Sequence, residues 1–255
     1  EQHQPFHWLI DFYGIMNRGG FDVIIGNPPY VELSQINYKI NGFNLKSTGN
    51  LFSICIERFT SLLFTKGKLG VIIPISAVST PRMYSLMDLL QSNYSPLFIS
   101  NFAVRPGKLF MGADMNLNIL IGQLQTTKNT SNVTWSSRYI RWLEKERPQL
   151  FQLLSFSETE LIDNWKTIPK IGEKTSKVIL ARIREFSSIS KYRTSAINSD
   201  VIYYHSGGRY FRKCLREKLS NEYKEFRVTK GFGDSLLCSL NSSLFYWFWI
   251  VISDC

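Results

Sequence analysis

One short segment constrains the fold more than any other part of the chain. Residues 21–26, FDVIIG, form a β-branched run with no polar side chain after Asp22. Such a run is typical of a strand buried on both faces of a parallel sheet. It stops abruptly at Asn27-Pro28-Pro29. Because parallel strands need crossover connections and covering helices, the segment indicates an α/β fold.

The rest of the first half alternates between helix and strand patterns, as that fold requires. The predicted elements are a helix at 50–66 that ends at Lys66-Gly67, a strand at 68–74, a helix at 81–93, and strands at 97–103, 116–124 and 133–135. The alternation predicts a mainly parallel sheet covered by helices. The last two strands are interpreted as an antiparallel edge.

After about residue 155 the pattern changes to mixed helix and short aromatic-rich segments. We therefore predict two domains, at 1–155 and 156–255. Residues 126–255 carry 21 basic and 13 acidic side chains, against 9 and 7 before them, so most of the net charge of +10 lies in the second half. This balance favours a polyanionic partner.

Since residue 1 is not Met and the chain stops behind an apolar run, we expect a piece of a longer polypeptide, truncated at its end.

Several classes of protein are disfavoured by composition. The four cysteines form no C-x-x-C pair, which argues against a disulfide framework or a four-thiolate zinc site and is consistent with a reducing cytoplasm. His3 and His7 are separated by Pro5, so no metal site is predicted. The longest apolar run, 244–252, is about half a membrane span, and no membrane partner is expected.

The segment Asn27-Pro28-Pro29-Tyr30 is the main candidate for chemistry. Ligands of open α/β sheets bind beyond the carboxyl ends of the strands, where this turn falls. Two prolines remove amide donors, Asn27 adds a side-chain carbonyl and Tyr30 an aromatic face. The turn therefore suits a planar substrate with an amino group, whose hydrogens the Asn27 and Pro28 carbonyls accept while Tyr30 stacks on the ring. The alternative is a proline-stiffened turn that only closes the strand.

Three segments in order, GFDVIIGNPPYV, TGNLFSICIERF and KGKLGVIIPISAVST, resemble the catalytic half of adenine-specific DNA methyltransferases. The similarity is to the gamma-class enzymes of Type IIG restriction-modification systems and spans residues 5–125. It implies the C-terminal half of a Rossmann-like methyltransferase sheet, followed by a smaller α+β target recognition domain. It also implies a prokaryotic cytoplasmic enzyme that moves a methyl group from S-adenosylmethionine to N6 of an adenine flipped out of double-stranded DNA.

The resemblance assigns roles to individual residues. Asn27, Pro28, Pro29 and Tyr30 would be catalytic, Tyr30 and Phe110 would stack on the flipped base, and Asn50 would lie near the methyl donor. Asn50 fits a helix N-cap equally well. Phe110 fits a core or loop-anchoring aromatic residue.

The glycine-rich turn that binds S-adenosylmethionine in these enzymes would lie upstream of Asn27, where this chain has only 26 residues. The sole G-x-G, Gly231-Phe232-Gly233, follows a charged segment and is interpreted as a loop. We therefore expect a missing N-terminal portion or a partner subunit to carry the cofactor site, with a nuclease domain as a further possibility. The isolated chain is expected to be inactive.

Residues 203–218, YYHSGGRYFRKCLREK, combine aromatic side chains, two glycines and a dense basic run. We predict DNA contacts from Arg209, Arg212, Lys213 and Arg216; the alternative is a solvated basic face. Residues 241–254 resemble a recurring segment of Type IIG target recognition domains, with a buried core helix as the alternative.

Two other functions compete with a DNA methyltransferase. Without its cofactor half, the chain could be a non-catalytic DNA-binding or specificity fragment. A protein glutamine methyltransferase also uses an Asn-Pro-Pro-Tyr turn to hold a planar amide. That function would not need about 100 further residues of basic, aromatic-rich chain.

Overall fold

A computed structural model describes residues 7–125, 132–205 and 214–254. The chain divides into two compact units, Glu1–Lys174 with Ile252–Asp254, and Thr175–Val251. The predicted boundary at 155/156 falls earlier than this division, because a strand beyond residue 155 joins the first unit. The assignment of the later residues to a target recognition domain stays a prediction.

The first unit alternates helices and strands as the sequence predicts. Its elements are α1 (Trp8–Asp11), α2 (Tyr13–Met16), β1 (Phe21–Gly26), α3 (Leu51–Leu62), β2 (Leu63–Pro74), α4 (Ser76–Ser79), α5 (Tyr84–Asn93), β3 (Tyr94–Phe102), β4 (Leu117–Leu124), β5 (Thr134–Ile140) and β6 (Phe156–Thr159). Short 3-10 helices lie at Leu33–Gln35, Asn44–Thr48, Pro81–Met83 and Glu144–Leu153.

The six strands form one mixed sheet in the order β1-β2-β4-β3-β5-β6. β1 is parallel to β2 and β3 is parallel to β5, whereas β4 is antiparallel to both β2 and β3. The α/β class is thereby confirmed. The antiparallel edge predicted for the last two strands is wrong: β4 lies inside the sheet, and β5 pairs with β3 instead of β4. Since β1, β2, β3 and β5 run the same way, their carboxyl ends share one edge.

Helices α3 and α5 cover one face of this sheet. Phe52 and Ile56 of α3 and Leu86 of α5 are buried in a single core with Val71 and Ile73 of β2. Apolar side chains repeat at helical spacing on α3 and at every second position on β2, so each element buries one face in the same core. This layer holds the carboxyl edge in place.

The opposite face of the sheet carries exposed apolar side chains. Ile25 of β1 is 82% exposed, Val23 of the same strand 52% and Ile121 of β4 53%. Ile25 and Ile121 both pair with Gly70 of β2, so they lie in one row across the sheet. The prediction that β1 is buried on both faces is therefore wrong. Within the described residues, β1 is an edge strand that pairs only with β2.

The predicted helix 50–66 ends at Leu62, four residues early, because Leu63 already pairs with Phe21 in the sheet. Gly20 makes this junction possible. Its φ is +123°, and a Cβ atom at this position would lie 2.4 Å from the Leu62 carbonyl oxygen. Only glycine fits such a close approach with a positive φ. The glycine that opens the GFDVIIG segment is thus a packing requirement.

The second unit is a small α+β arrangement. It contains α6 (Lys174–Arg184), β7 (Ser199–His205), β8 (Cys214–Leu215), β9 (Tyr223–Thr229), α7 (Gly233–Leu240) and α8 (Ser243–Ile252). The strands form an antiparallel sheet in the order β8-β7-β9, and Ile202, Val228 and Leu236 are buried in its core.

The aromatic run 241–254 contains α8, so the alternative of a helix in this segment agrees with the structure. Val251 is buried, but most other side chains of α8 are partly exposed, so a fully buried core helix is wrong. Among the described residues, no single helix has the length and apolar composition to cross a membrane; α7 and α8 pass that test only as a pair bent by 64°.

Candidate active site

The Asn-Pro-Pro-Tyr turn begins directly after β1, at the edge where the four aligned strands end. Asn27 and Pro29 are exposed and Pro28 is buried. The buried proline anchors the turn with a fixed φ, and its neighbour Asn27 presents its side chain to solvent. The turn thus lies where ligands of α/β sheets bind.

Tyr30 connects this turn to the neighbouring strand. Its hydroxyl lies 2.5 Å from Oδ1 of Asn27 and 3.1 Å from the carbonyl oxygen of Ile72 on β2. Burial raises the pKa of Tyr30 to about 12, so the hydroxyl stays a donor at neutral pH. Donation to Asn27 fixes which end of the Asn27 amide carries the acceptor, a point that the sequence did not predict. One lone pair of Oδ1 remains for a second donor.

The ring of Tyr30 is half-buried and packs against the core under α3. The arrangement therefore offers two acceptors for an amino group, the Asn27 side chain and the backbone carbonyl of the rigid turn, beside an aromatic ring. That Asn27, Pro28, Pro29 and Tyr30 are catalytic, and that Tyr30 stacks on a base, stay predictions.

Asn50 is buried at the start of α3 and acts as its N-cap. Its Oδ1 accepts from the Phe52 amide at 3.3 Å, and its Nδ2 donates to Oε1 of Glu32 at 3.3 Å. Glu32 in turn receives both terminal nitrogens of Arg82, at 2.8 and 3.0 Å. The Arg82 guanidinium holds the pKa of Glu32 below its ordinary value. The N-cap alternative thus describes the contacts of Asn50, and its predicted place beside a methyl donor stays a prediction.

Phe110 lies half-buried in the loop between β3 and β4. Because this loop leaves the carboxyl end of β3, it starts at the same edge as the Asn27 turn. Lys108 forms an ion pair with Asp114, and Arg147 donates to the carbonyls of Lys108 and Leu109. The loop is therefore held on both sides of Phe110, whose stacking role stays a prediction.

Sequence reasoning missed two buried polar features near this edge. Asn101 and Asn118 face each other across β3 and β4, where Asn118 Nδ2 donates to Asn101 Oδ1 at 2.7 Å. Lys170 is 2% exposed, and its Nζ donates to Oγ of Ser79 at 3.0 Å and to the carbonyl oxygen of Ser253. A lone lysine inside the apolar run IPKIG was the available signal, since lysine is rarely buried without partners.

The predicted DNA contacts of the second unit fall in different parts of the structure. Arg216 is exposed and forms an ion pair with Asp234. Arg209, Arg212 and Lys213 lie outside the described residues. Their roles, and that of Arg216, stay predictions.

The Gly231-Phe232-Gly233 segment is a turn before α7, as expected. The carboxylate of Asp200 accepts from the amides of Gly231 and Gly233, at 2.8 Å each. These amides are therefore unavailable to a ligand phosphate or carboxylate. Within the described residues no glycine-rich turn follows a buried strand, and where S-adenosylmethionine would be held stays a prediction. In the same described part, no three His, Cys, Asp or Glu side chains cluster closely enough to hold a metal ion.

The acceptor-rich turn at the carboxyl edge of the sheet lies within a region that matches a known family. Residues 1–110 match the family described as Eco57I restriction-modification methylase. The resemblance to methyltransferases of restriction-modification systems is thus confirmed over that region. Adenine specificity and the gamma class go beyond the match.

The chain is also similar to parts of individual proteins. The chain is 36% identical over 122 residues to a protein of Methanocaldococcus jannaschii described as a type II restriction enzyme and methyltransferase. The aligned region is 48% of this chain and 10% of that relative. Among solved structures, a nuclease-deletion mutant of the Type ISP restriction-modification enzyme LlaGI with a DNA substrate mimic has 16% identity and a TM-score of 0.48, over 73% of this chain and 18% of the mutant chain. The DrdV–DNA complex has 11% identity and a TM-score of 0.47, over 62% and 19%.

Proposed function

We propose that this chain carries the base-binding and DNA-recognition portion of an adenine-N6 DNA methyltransferase of the Type IIG restriction-modification kind. The observation that carries the proposal is the Asn27 turn, exposed at the carboxyl edge and oriented by the Tyr30 hydroxyl, within the region that matches a restriction-modification methylase. The net charge of +10 supports DNA as the partner.

In this proposal the adenine leaves the duplex, because its amino group cannot meet a methyl donor within the stack. Oδ1 of Asn27 accepts one amino hydrogen and the Pro28 carbonyl the other. Both contacts draw the nitrogen lone pair out of conjugation and aim it away from the turn, while Tyr30 and Phe110 hold the base by stacking. The residues of this chain thus position the base, and proximity and orientation account for most of the acceleration.

The methyl donor would be S-adenosylmethionine, held by an N-terminal portion or a partner subunit. Support comes from the sheet itself: parallel sheets are normally covered on both faces, yet Val23 and Ile25 of the edge strand β1 are exposed. The portion that holds the cofactor would cover this face of the sheet. The complete enzyme would also include a nuclease domain. The isolated chain should then bind DNA without methylating it, which also describes the non-catalytic alternative.

The test is Asn27→Ala in the enzyme that includes its cofactor portion. We expect methylation of adenine in duplex DNA to fall by about a hundredfold or more, as when a positioned polar group leaves an active site. DNA affinity should stay within about twofold, because one exposed neutral side chain adds little to binding dominated by phosphate contacts. Asn41→Ala, at another exposed asparagine, is the matched control.

Equal losses of methylation and DNA affinity on Asn27→Ala would mean that Asn27 is structural. Methylation of a protein glutamine in place of DNA would favour the glutamine methyltransferase alternative. Methylation by the isolated chain would refute the need for a separate cofactor portion.

A further inference from the structure

The second unit contains two adjoining cavities that the proposed active site does not use. The first, the aromatic cavity, has a volume of about 350 Å³, and its lining includes Tyr204, His205, Phe226, Phe245 and Trp249. The second, the arginine cavity, has about 480 Å³ and is lined by Arg193, Arg227, Glu225, Phe226 and three hydroxyl side chains. Phe226 lines both cavities.

The aromatic cavity has the chemistry of a stacking site. Tyr204 meets Phe226 edge to face at 6.3 Å, and Trp249 and Phe245 of α8 add two further rings. The His205 imidazole is held by Glu222 at 2.8 Å. A flat, polar-edged ring would find apolar faces on several sides here. The volume lies within the range of small-molecule sites.

The arginine cavity has the chemistry of an anion site. Arg227 pairs with Glu225 at 2.5 Å, so these two charges offset each other. Arg193 is exposed and pairs with no carboxylate among the described residues; its guanidinium lies 5.9 Å from the centre of the Phe226 ring. The lining therefore keeps one positive charge. The hydroxyls of Ser190, Thr194 and Ser195 add donors of the kind that contact phosphate oxygens.

The two cavities are fixed relative to each other by short chain segments. Ile189 lines the aromatic cavity, and its neighbour Ser190 lines the other. Arg193 forms a β-bridge with Val228 of β9, and the Thr194 amide donates to the Arg227 carbonyl at 3.2 Å. A ring site and an anion site thus lie side by side along β9.

We propose that the two cavities together bind one unstacked nucleotide of DNA, its base in the aromatic cavity and its phosphate in the arginine cavity. The inference rests on DNA as the partner in the proposed function, but it concerns a second base, not the adenine at Asn27. Stacking is tolerant of base identity, so the site would hold an extrahelical or unpaired nucleotide of any sequence.

The test uses the full chain and two duplexes that differ by one bulged, unpaired nucleotide. We expect about fivefold or more tighter binding of the bulged duplex by fluorescence anisotropy, the lower end of what stacking of one base contributes. Phe226→Leu and Arg193→Gln should each abolish this preference. Phe186→Leu and Lys218→Gln, at exposed sites of the same unit that line neither cavity, should retain it.

Equal binding of the two duplexes by the unmodified chain would overturn this inference and leave the proposed function intact. No binding of either duplex would count against DNA as the partner and so against both. Because Phe226→Leu could disturb folding, photocrosslinking of the unmodified chain to 5-iodouracil at the bulge provides a second measurement. Crosslinks should map to the rings of the aromatic cavity, and crosslinks confined to other regions would overturn the site.

Discussion

The substitution Tyr30→Phe tests the contact that links the candidate turn to the sheet, because it removes the hydroxyl and keeps the ring. The hydroxyl has one hydrogen and two acceptors, Asn27 Oδ1 at 2.5 Å and the Ile72 carbonyl at 3.1 Å. One hydrogen bond is therefore lost, worth about 0.5–1.5 kcal/mol net. Since Asn27 is exposed and water can replace its lost donor, we expect a decrease of about 1 kcal/mol in the free energy of unfolding.

The assay is urea denaturation of the chain, with the free energy extrapolated linearly to water. Tyr38→Phe is the matched control, since Tyr38 is 59% exposed and should change the free energy by less than about 0.5 kcal/mol. If Tyr30→Phe is as stable as the unmodified chain, the hydroxyl is not engaged, and the argument that it orients Asn27 fails.

The same substitution separates the hydroxyl from the ring in catalysis. In the complete enzyme, Tyr30→Phe should slow methylation about fivefold, the kinetic equivalent of about 1 kcal/mol of lost positioning. Tyr30→Ala also removes the stacking ring, so methylation should fall by a further factor of about 5–150, with a smaller effect on duplex affinity. Identical losses for the two variants would contradict the stacking role of the ring.

Three further outcomes follow from contacts in the first unit. Gly20→Ala should lower the free energy of unfolding by about 1–3 kcal/mol, because the added Cβ would clash with the Leu62 carbonyl at a positive φ. Gly14→Ala is the control, since Gly14 has open space around it and the substitution should not lower the free energy of unfolding. Thermal melts of the two variants compare them. Burial raises the pKa of Tyr94 to about 12 from 10.0, so the neutral phenol stabilises the fold fully below pH 10 and this stabilisation is lost as the pH rises toward 12. In denaturation curves measured across this pH range, Tyr94→Phe should reduce the decrease in the free energy of unfolding. Asn50→Ala should cost about 1 kcal/mol as a lost N-cap, whereas Asn50→Ser keeps a capping oxygen and places no second carboxylate beside Glu32, so it should cost less. A drop in methylation by the Asn50→Ser variant is the result expected if Asn50 also lies beside the methyl donor.

The features that could be predicted from the sequence are those with local causes. Apolar spacing predicted α3, and proline at the first position of 81–93 predicted the helical segment that contains α5. The prolines after Gly26 predicted the end of β1. The position of Asn27 directly after a predicted strand, together with the prolines that follow it, identified Asn27 as an acceptor candidate. Each of these depends on neighbours within a few positions, which a single sequence records.

The features that sequence reasoning missed depend on partners far away in the chain. β4 lies between β2 and β3. Other strand orders would bury the same apolar strands, so the hydrophobic pattern alone did not predict this one. The burial of Lys170 depends on Ser79, 91 positions away. The prediction that Ile25 is buried was wrong. An apolar run indicates that a strand is suited to burial on both faces, but it does not show which residues, if any, pack against each face.

That mismatch in β1 has a consequence for the behaviour of the chain in solution. β1 is an edge strand, so a row of its backbone groups faces outward, and its Val23 and Ile25 side chains are exposed. Another strand can pair with such an edge. Two copies that pair through β1 would each still expose Val23, Ile25 and Ile121 on the open face of the sheet, and these apolar faces offer a second route of association. At high concentration the isolated chain would therefore tend to associate through this strand and this face, and a partner that covered both would suppress that association.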